Sequence, residues 1–252
     1  MKTIRGMALV GMVAVLAACS GQGATSAPAA TATAAPSQPS GLTELPVIAE
    51  GNPQPLAAGS YVTGNTGFFP GLQITIPAGW KAGETDSGEI SLRPDAAPDD
   101  VLLLWTNVVA TVTNNRDGKV GQPLEGVGSS AKDLVTWLTT TSDFAVIEQP
   151  APLTIGQGIT GTVLTVGVSD TANFAEPDCP DNPKCASIFT DPNHWGPGFY
   201  AIGGAEVARI FVSPTVDPHT FLVVLDAPDA TKLPALESLA APILASLKLP
   251  AF

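Results

Sequence analysis

The sequence predicts an α+β domain: a mostly antiparallel sheet of seven to nine strands carrying two packed amphipathic helices. Three observations predict it. Short β-branched stretches alternate apolar and polar residues, as in Leu72, Ile74 and Ile76 against Gln73 and Thr75. A helical stripe of Leu134, Trp137 and Leu138 interrupts them mid-chain, and a second stripe through Leu233, Leu236, Leu239, Ile243, Leu244 and Leu247 closes the chain. Strands with a few segregated helices give a layered α+β fold.

The N-terminus is built differently. Lys2 and Arg5 precede an uncharged apolar run from Met7 to Ala18, which ends in Leu16-Ala17-Ala18-Cys19. The run falls short of the roughly 20 residues that a helix needs to span a bilayer, and its basic start fits a secretory signal. Leu-Ala-Ala-Cys resembles the lipobox of bacterial lipoproteins. That resemblance implies cleavage before Cys19 and its lipidation, with residues 1–18 as signal peptide. Two or three acyl chains, at about 0.8 kcal/mol per buried methylene, would make the anchorage essentially permanent.

The cysteine count agrees. Three cysteines leave an odd thiol in an exported protein, and lipidating Cys19 leaves Cys179 and Cys185 in CPDNPKC. Outside the cytoplasm that pair is expected to be oxidised, closing a ring worth roughly 2 kcal/mol. A two-cysteine metal site fits less well, because the spacing exceeds that of zinc sites and no second cysteine pair exists. No metal or cofactor is expected.

Ser20 to Glu44 is almost wholly Ala, Ser, Thr, Pro, Gly and Gln. It cannot bury enough surface to offset its ordering entropy. Residues 19–45 therefore read as a lipidated cysteine and a disordered tether, and residues 46–252 as a single α+β domain. Signal removal takes Lys2 and Arg5 from 11 basic residues and nothing from 23 acids, so the mature chain carries −14. That charge gives no electrostatic footprint for nucleic acid and repels anionic headgroups. Acidity that keeps an exported domain soluble accounts for it without a cation-binding role.

Within the domain, strands are expected at Gly59–Thr63, Gly71–Pro77 and Glu89–Arg93. Ala78-Gly79-Trp80 reads as a turn. Val101 to Thr113 reads as one long central strand, followed by turn chemistry from Asn114 to Lys119. Ser130-Ala-Lys-Asp133 resembles a capping box and opens a helix running to Thr140. Strands resume at Phe144–Glu148, Leu153–Ile155, Thr160–Ser169, Phe199–Ile202, Val207–Ser213 and Thr220–Asp226. The last helix starts near Asp229, and Pro242 should kink or restart it.

This order of elements resembles a known family. The polar tether leads to Phe69-Pro-Gly-Leu72 and Ile76-Pro-Ala-Gly-Trp80. An inward Trp137-Leu138 marks the middle helix, and Ile243-Leu-Ala-Ser-Leu247 ends the last one. The pattern is similar to actinobacterial envelope lipoproteins of the LpqN type, whose domain resembles the PsbP subunit of photosystem II. The resemblance implies a PsbP-like sandwich and an envelope-facing accessory or binding role, and it supplies no catalytic residue.

Several motifs invite chemistry. Gly156-Gln-Gly158-Ile-Thr-Gly161 matches the dinucleotide fingerprint, but a β-branched strand follows it where the fingerprint needs a helix N-terminus. It reads as a hairpin turn. Asn115-Arg-Asp117-Gly118 echoes a calcium loop, yet its bidentate and first-ligand positions fall on Leu124 and Thr113. His219 reads as a loop histidine, and no hydrolase motif is present.

What remains is the segment from Asn173 to Tyr200, long for a loop in a compact domain. Asp191, His194, Trp195, Phe199 and Tyr200 are its candidate ligand-binding residues: flat aromatic faces with oxygens nearby. The alternative is a decorated hairpin whose aromatics pack on the sheet. The expected function is that of an exported lipoprotein, anchored on the outer face of the cell membrane or in an outer membrane. Its domain would be non-catalytic and would bind an envelope glycan, lipid or protein partner. An envelope-polymer hydrolase using His194 and a loop carboxylate is the alternative. Paired catalytic carboxylates should stand on rigid strands around a cleft, whereas here the acids cluster in turns.

Overall fold

The computed structural model describes residues 41–49, 52–64, 70–85, 88–113, 122–170, 172, 184–191, 199–216 and 219–250. In chain order the strands are β1 (Thr43–Glu44), β2 (Gln54–Pro55), β3 (Gly59–Val62), β4 (Gln73–Ile76), β5 (Trp80–Glu84), β6 (Glu89–Pro94), β7 (Val101–Thr106) and β8 (Val109–Ala110). Helix α1 (Ala131–Thr140) follows. Then come β9 (Phe144–Ile155), β10 (Ile159–Val168), β11 (Cys185–Thr190), β12 (Phe199–Gly203), β13 (Val207–Val216), β14 (His219–Ala227) and helix α2 (Leu233–Ser246).

An eight-stranded sheet, ordered β2-β5-β6-β7-β14-β13-β10-β9, forms the middle of the domain. All its neighbours pair antiparallel. Alternation along its strands sends side chains to two separate cores. Leu102, Leu104, Phe221, Val223 and Leu225 point to the first, where α2 and the small sheet β1-β3-β4 cover them. Leu103, Trp105, Leu222 and Val224 point to the second, closed by α1 and the sheet β12-β11-β8. The α+β class and the dominance of antiparallel pairing are as the sequence predicts. The large sheet has eight strands, within the seven to nine expected, two three-stranded sheets add to it, and the elements differ from expectation at four places.

The stretch from Val101 to Thr113 is not one strand. Asn107 adopts φ 56°, a left-handed conformation that asparagine tolerates better than most residues. The chain swings there from β7 in the large sheet to β8 in a small one. Conversely, the two strands expected between Phe144 and Ile155 are one. A register shift between Val163 and Thr165, opposite Ala151 and Glu148, takes in Pro150, while Pro152 stays in register opposite Thr162 at the sheet's edge. Trp80–Glu84 is a strand that starts as soon as Gly79 (φ 83°) has turned the chain.

The fourth place is the expected loop from Asn173 to Tyr200. Cys185–Thr190 within it is a strand, buried at every residue and paired antiparallel with β12 and β8. The domain also starts earlier than residue 46. Thr43 and Glu44 pair in parallel with Tyr61 and Val62, and Leu45 is buried in the first core.

Helix α1 has the expected bounds. Ser130 caps it, its hydroxyl accepting from the Asp133 N–H at 3.2 Å and donating to Asp133 Oδ2 at 2.6 Å. Helix α2 forms against poorer local odds. Its N-cap, Lys232, makes no side-chain capping bond, and Pro242 lies inside the helix. An interior proline costs about 3 kcal/mol. Leu233, Leu236, Ala240 and Ile243 are all buried on the first core, and each large apolar side chain contributes about 1.5–3 kcal/mol. Packing therefore outweighs propensity.

The glycine motif is a hairpin. Gly156 and Gly158 take positive φ in the turn between β9 and β10, where Ile155 pairs with Ile159. Gly161 is there for close approach: a Cβ on it would stand 2.5 Å from the Val212 carbonyl oxygen and 2.7 Å from the Phe211 ring. No helix N-terminus follows, and the dinucleotide reading ends there.

Candidate functional site

On the first-core face, α2 does not cover β9 and β10 completely. A cleft remains between helix and sheet, about 550 Å³ when counted out to its open mouth. Leu153 and Ile155 of β9, Val163 of β10 and Phe211 of β13 form its floor, and Ala241 and Leu244 of α2 form its opposite wall. Leu153 is also one of the few large apolar residues exposed on the described surface.

One polar constellation stands in this apolar setting. Glu148, Thr165 and Arg209 occupy one row across three neighbouring strands, Glu148 paired with Thr165 and Thr165 with Arg209. The Thr165 hydroxyl donates to Glu148 Oε2 at 2.7 Å. Arg209 Nη1 donates to the same carboxylate and, at 3.3 Å, to Thr165 Oγ1. Its Nε reaches across to Glu237 Oε1 of α2 at 3.0 Å. The Arg209 side chain is only 26% exposed, so two carboxylates are needed to satisfy its fork of donors. The arrangement fixes a charged bar beside apolar walls. That suits retention of an apolar group whose polar end stays near water.

The sequence marks Arg209 more clearly than its composition suggests. In Val207-Ala-Arg-Ile-Phe211 it falls in phase with Val207 and Phe211, at a core-facing position. A charge there needs partners, and alternation alone could have singled it out. Glu148 and Glu237, on separate elements, carry no comparable signal.

The candidates read from the segment 173–200 are placed as follows. Asp191, just after β11, is 7% exposed, and Tyr200 on β12 is 8% exposed. Neither sits on an open aromatic ledge, because β11 and β12 form an inner layer over the second core. Phe199 opens β12. His194 and Trp195 lie outside the described residues, and so do Cys19 and Cys179. Cys185 opens β11, is 1% exposed and is not a free thiol. His219 opens β14, opposite Val216. The cleft brings together none of these residues.

No protein-family model matches the chain, and no curated protein matches it. Among solved structures it is similar to cyanobacterial PsbP (CyanoP) from Synechocystis sp. PCC 6803, at 12% identity and a TM-score of 0.38, over 77% of this chain and 94% of that one. It is also similar to a protein from Bacteroides thetaiotaomicron VPI-5482, at 8% identity and a TM-score of 0.33, over 78% of this chain and 50% of that one. Likenesses of that size name no activity, and the α+β class rests on the strand pairing described above.

Proposed function

We propose that this chain is an exported, lipid-anchored protein with a PsbP-like, non-catalytic domain that holds the apolar chain of an envelope amphiphile in the cleft under α2. One observation carries the reading: the cleft has apolar walls on both sides, and its one charged bar, Glu148–Arg209–Glu237, is internally paired. A paired bar offers hydrogen bonding at the mouth without demanding a charged ligand. The lipobox ending at Cys19 supports the envelope setting, and the polar tether after it would let the domain work above the bilayer. The row of alternating residues that forms the floor belongs to a rigid sheet, which favours a preformed site over one shaped by the ligand.

The test is a titration of soluble Cys19→Ser protein with a fluorescent polyene fatty acid. Saturable binding is expected, together with its loss in Ala241→Trp, which fills the mouth from an exposed helix position and leaves the core intact. Equal binding by that variant, or none by the parent protein, overturns the proposal.

A further inference from the structure

Asp226 occupies a position where its strand calls for an apolar side chain. Leu222 and Val224, in phase with it on β14, are completely buried in the second core. Asp226 pairs with Val101 of β7 and with Ala208 of β13. Four charged or titratable groups face it from the surrounding elements: Tyr200 of β12, Glu206 in the β12–β13 turn, Arg93 near the end of β6 and Asp100 just before β7. Behind Asp100 stand Asp99, Asp229 and Lys232.

These groups are incompletely satisfied. The Tyr200 hydroxyl is buried and faces the Asp226 carboxyl, yet it makes no hydrogen bond of full geometry. Arg93 Nε is also buried without a partner, so the guanidinium does not clamp Asp226 as a bidentate counterion would. The Glu206 carboxylate is already committed. Its Oε2 accepts the Gly203 N–H at 2.6 Å, which fixes the turn leading from the small sheet back into the large one. An ionised Asp226, itself half-buried, therefore confronts the half-buried Glu206 carboxylate at the seam between the two sheets. A protonated Asp226 removes that repulsion and supplies an O–H donor.

We propose that Asp226 is a proton-operated latch: protonated, it holds β12, and with it the β8–β11–β12 sheet, against β14, and its ionisation loosens that contact. Burial first, and the Glu206 carboxylate second, push the Asp226 carboxyl up to about 7, against the opposing pull of Tyr200 and Arg93. The latch thus operates close to neutrality. Burial raises the Tyr200 hydroxyl well above its ordinary value, so the tyrosine remains protonated throughout and Asp226 is the group that changes.

The experiment pairs two measurements on the exported chain. Carbon-detected NMR follows the Asp226 carboxyl, and hydrogen exchange, corrected for intrinsic chemistry, follows the amides of β11 and β12 from about pH 5.5 to about pH 8.5. Exchange protection in these strands should fall at least about tenfold relative to β13 and β14, with the midpoint of the carboxyl titration. Asp226→Asn should keep protection constant over the range. Glu206→Gln, which retains an acceptor for Gly203, should lower both midpoints together. A carboxyl that titrates in the ordinary range near 4, protection that does not follow it, or a Glu206→Gln variant that moves one midpoint without the other overturns the latch. The NMR arm and Glu206→Gln stand even if Asp226→Asn does not fold.

Discussion

Arg209 Nε lies 3.0 Å from Glu237 Oε1, and this contact ties the large sheet to α2 beside the mouth of the cleft. It positions the helix more than it stabilises it. The Glu237 side chain is 37% exposed, and ion pairs of that kind contribute about 0–1 kcal/mol. Leu236, its neighbour, is completely buried. Glu237→Ala should therefore cost less than about 1 kcal/mol, whereas Leu236→Ala should cost about 2–5 kcal/mol. Urea unfolding of the two variants measures the contrast. Equal costs would mean that the charged bar bears weight that its exposure does not predict.

The proposed lipidation of Cys19 makes a cellular prediction. Cys19→Ala should release the protein into the soluble exported fraction or leave an uncleaved precursor. Fractionation with immunoblotting measures this, and mature-sized variant that stays on the membrane would rule out the thioether anchor.

A thiol count tests the proposed staple. With Cys19 alkylated and Cys179 joined to Cys185, mature protein should take up no alkylating reagent until it is reduced, as read by mass spectrometry. Cys185 is buried at the start of β11, so reduction should also be slow in native protein and fast in denaturant. Labelling of Cys179 or Cys185 without reductant would refute the pairing.

The pH dependence of stability has a defined sign. The Asp226 carboxyl is raised in the fold to about 7 from an ordinary value of 3.8, so the native state holds its proton more tightly than the unfolded chain does. Its contribution is fully present below the unfolded value and is lost as pH rises to about 7. Asp100, raised by burial and by Asp99, acts in the same direction. Asp170 and Asp229, lowered by bonds to Lys184 and Thr231, act in the opposite one but lie at the surface, where solvent screens them. Calorimetry should find a Tm several degrees lower at about pH 8 than at about pH 5, with much of the difference absent in Asp226→Asn. A Tm that climbs steadily across the interval would contradict the assignment.

Much of this fold was legible wherever one residue pattern had one physical reading. Ser130 followed by Asp133, with Leu134, Trp137 and Leu138 behind them, can hardly be anything but a capped amphipathic helix, and α1 has the expected bounds. Trouble arose where two readings shared a pattern. Val101 to Thr113 is β-prone on both sides of Asn107, and nothing in its apolar content shows that Asn107 turns left-handed and divides it between two sheets. Cys185 to Thr190 is short and bracketed by prolines and acids, so its burial by long-range pairing with β8 and β12 could not be seen locally. The cleft was less legible still, because its charged bar joins β9, β10, β13 and α2 across 89 positions of sequence from Glu148 to Glu237.

Proline sits in both outermost strands of the eight-stranded sheet: Pro55 in β2 at one margin, Pro150 and Pro152 in β9 at the other. A sheet margin is a template on which a second molecule can continue the ladder, and a residue with no N–H cannot complete the next rung. β9 would otherwise be the more dangerous margin, with twelve residues that are mostly exposed and Ile147 and Leu153 open to solvent. Copies confined to a surface meet far more often, and in fewer orientations, than copies free in solution. Replacing Pro150 and Pro152 with threonine should therefore raise self-association along β9, most of all where copies are crowded on a surface.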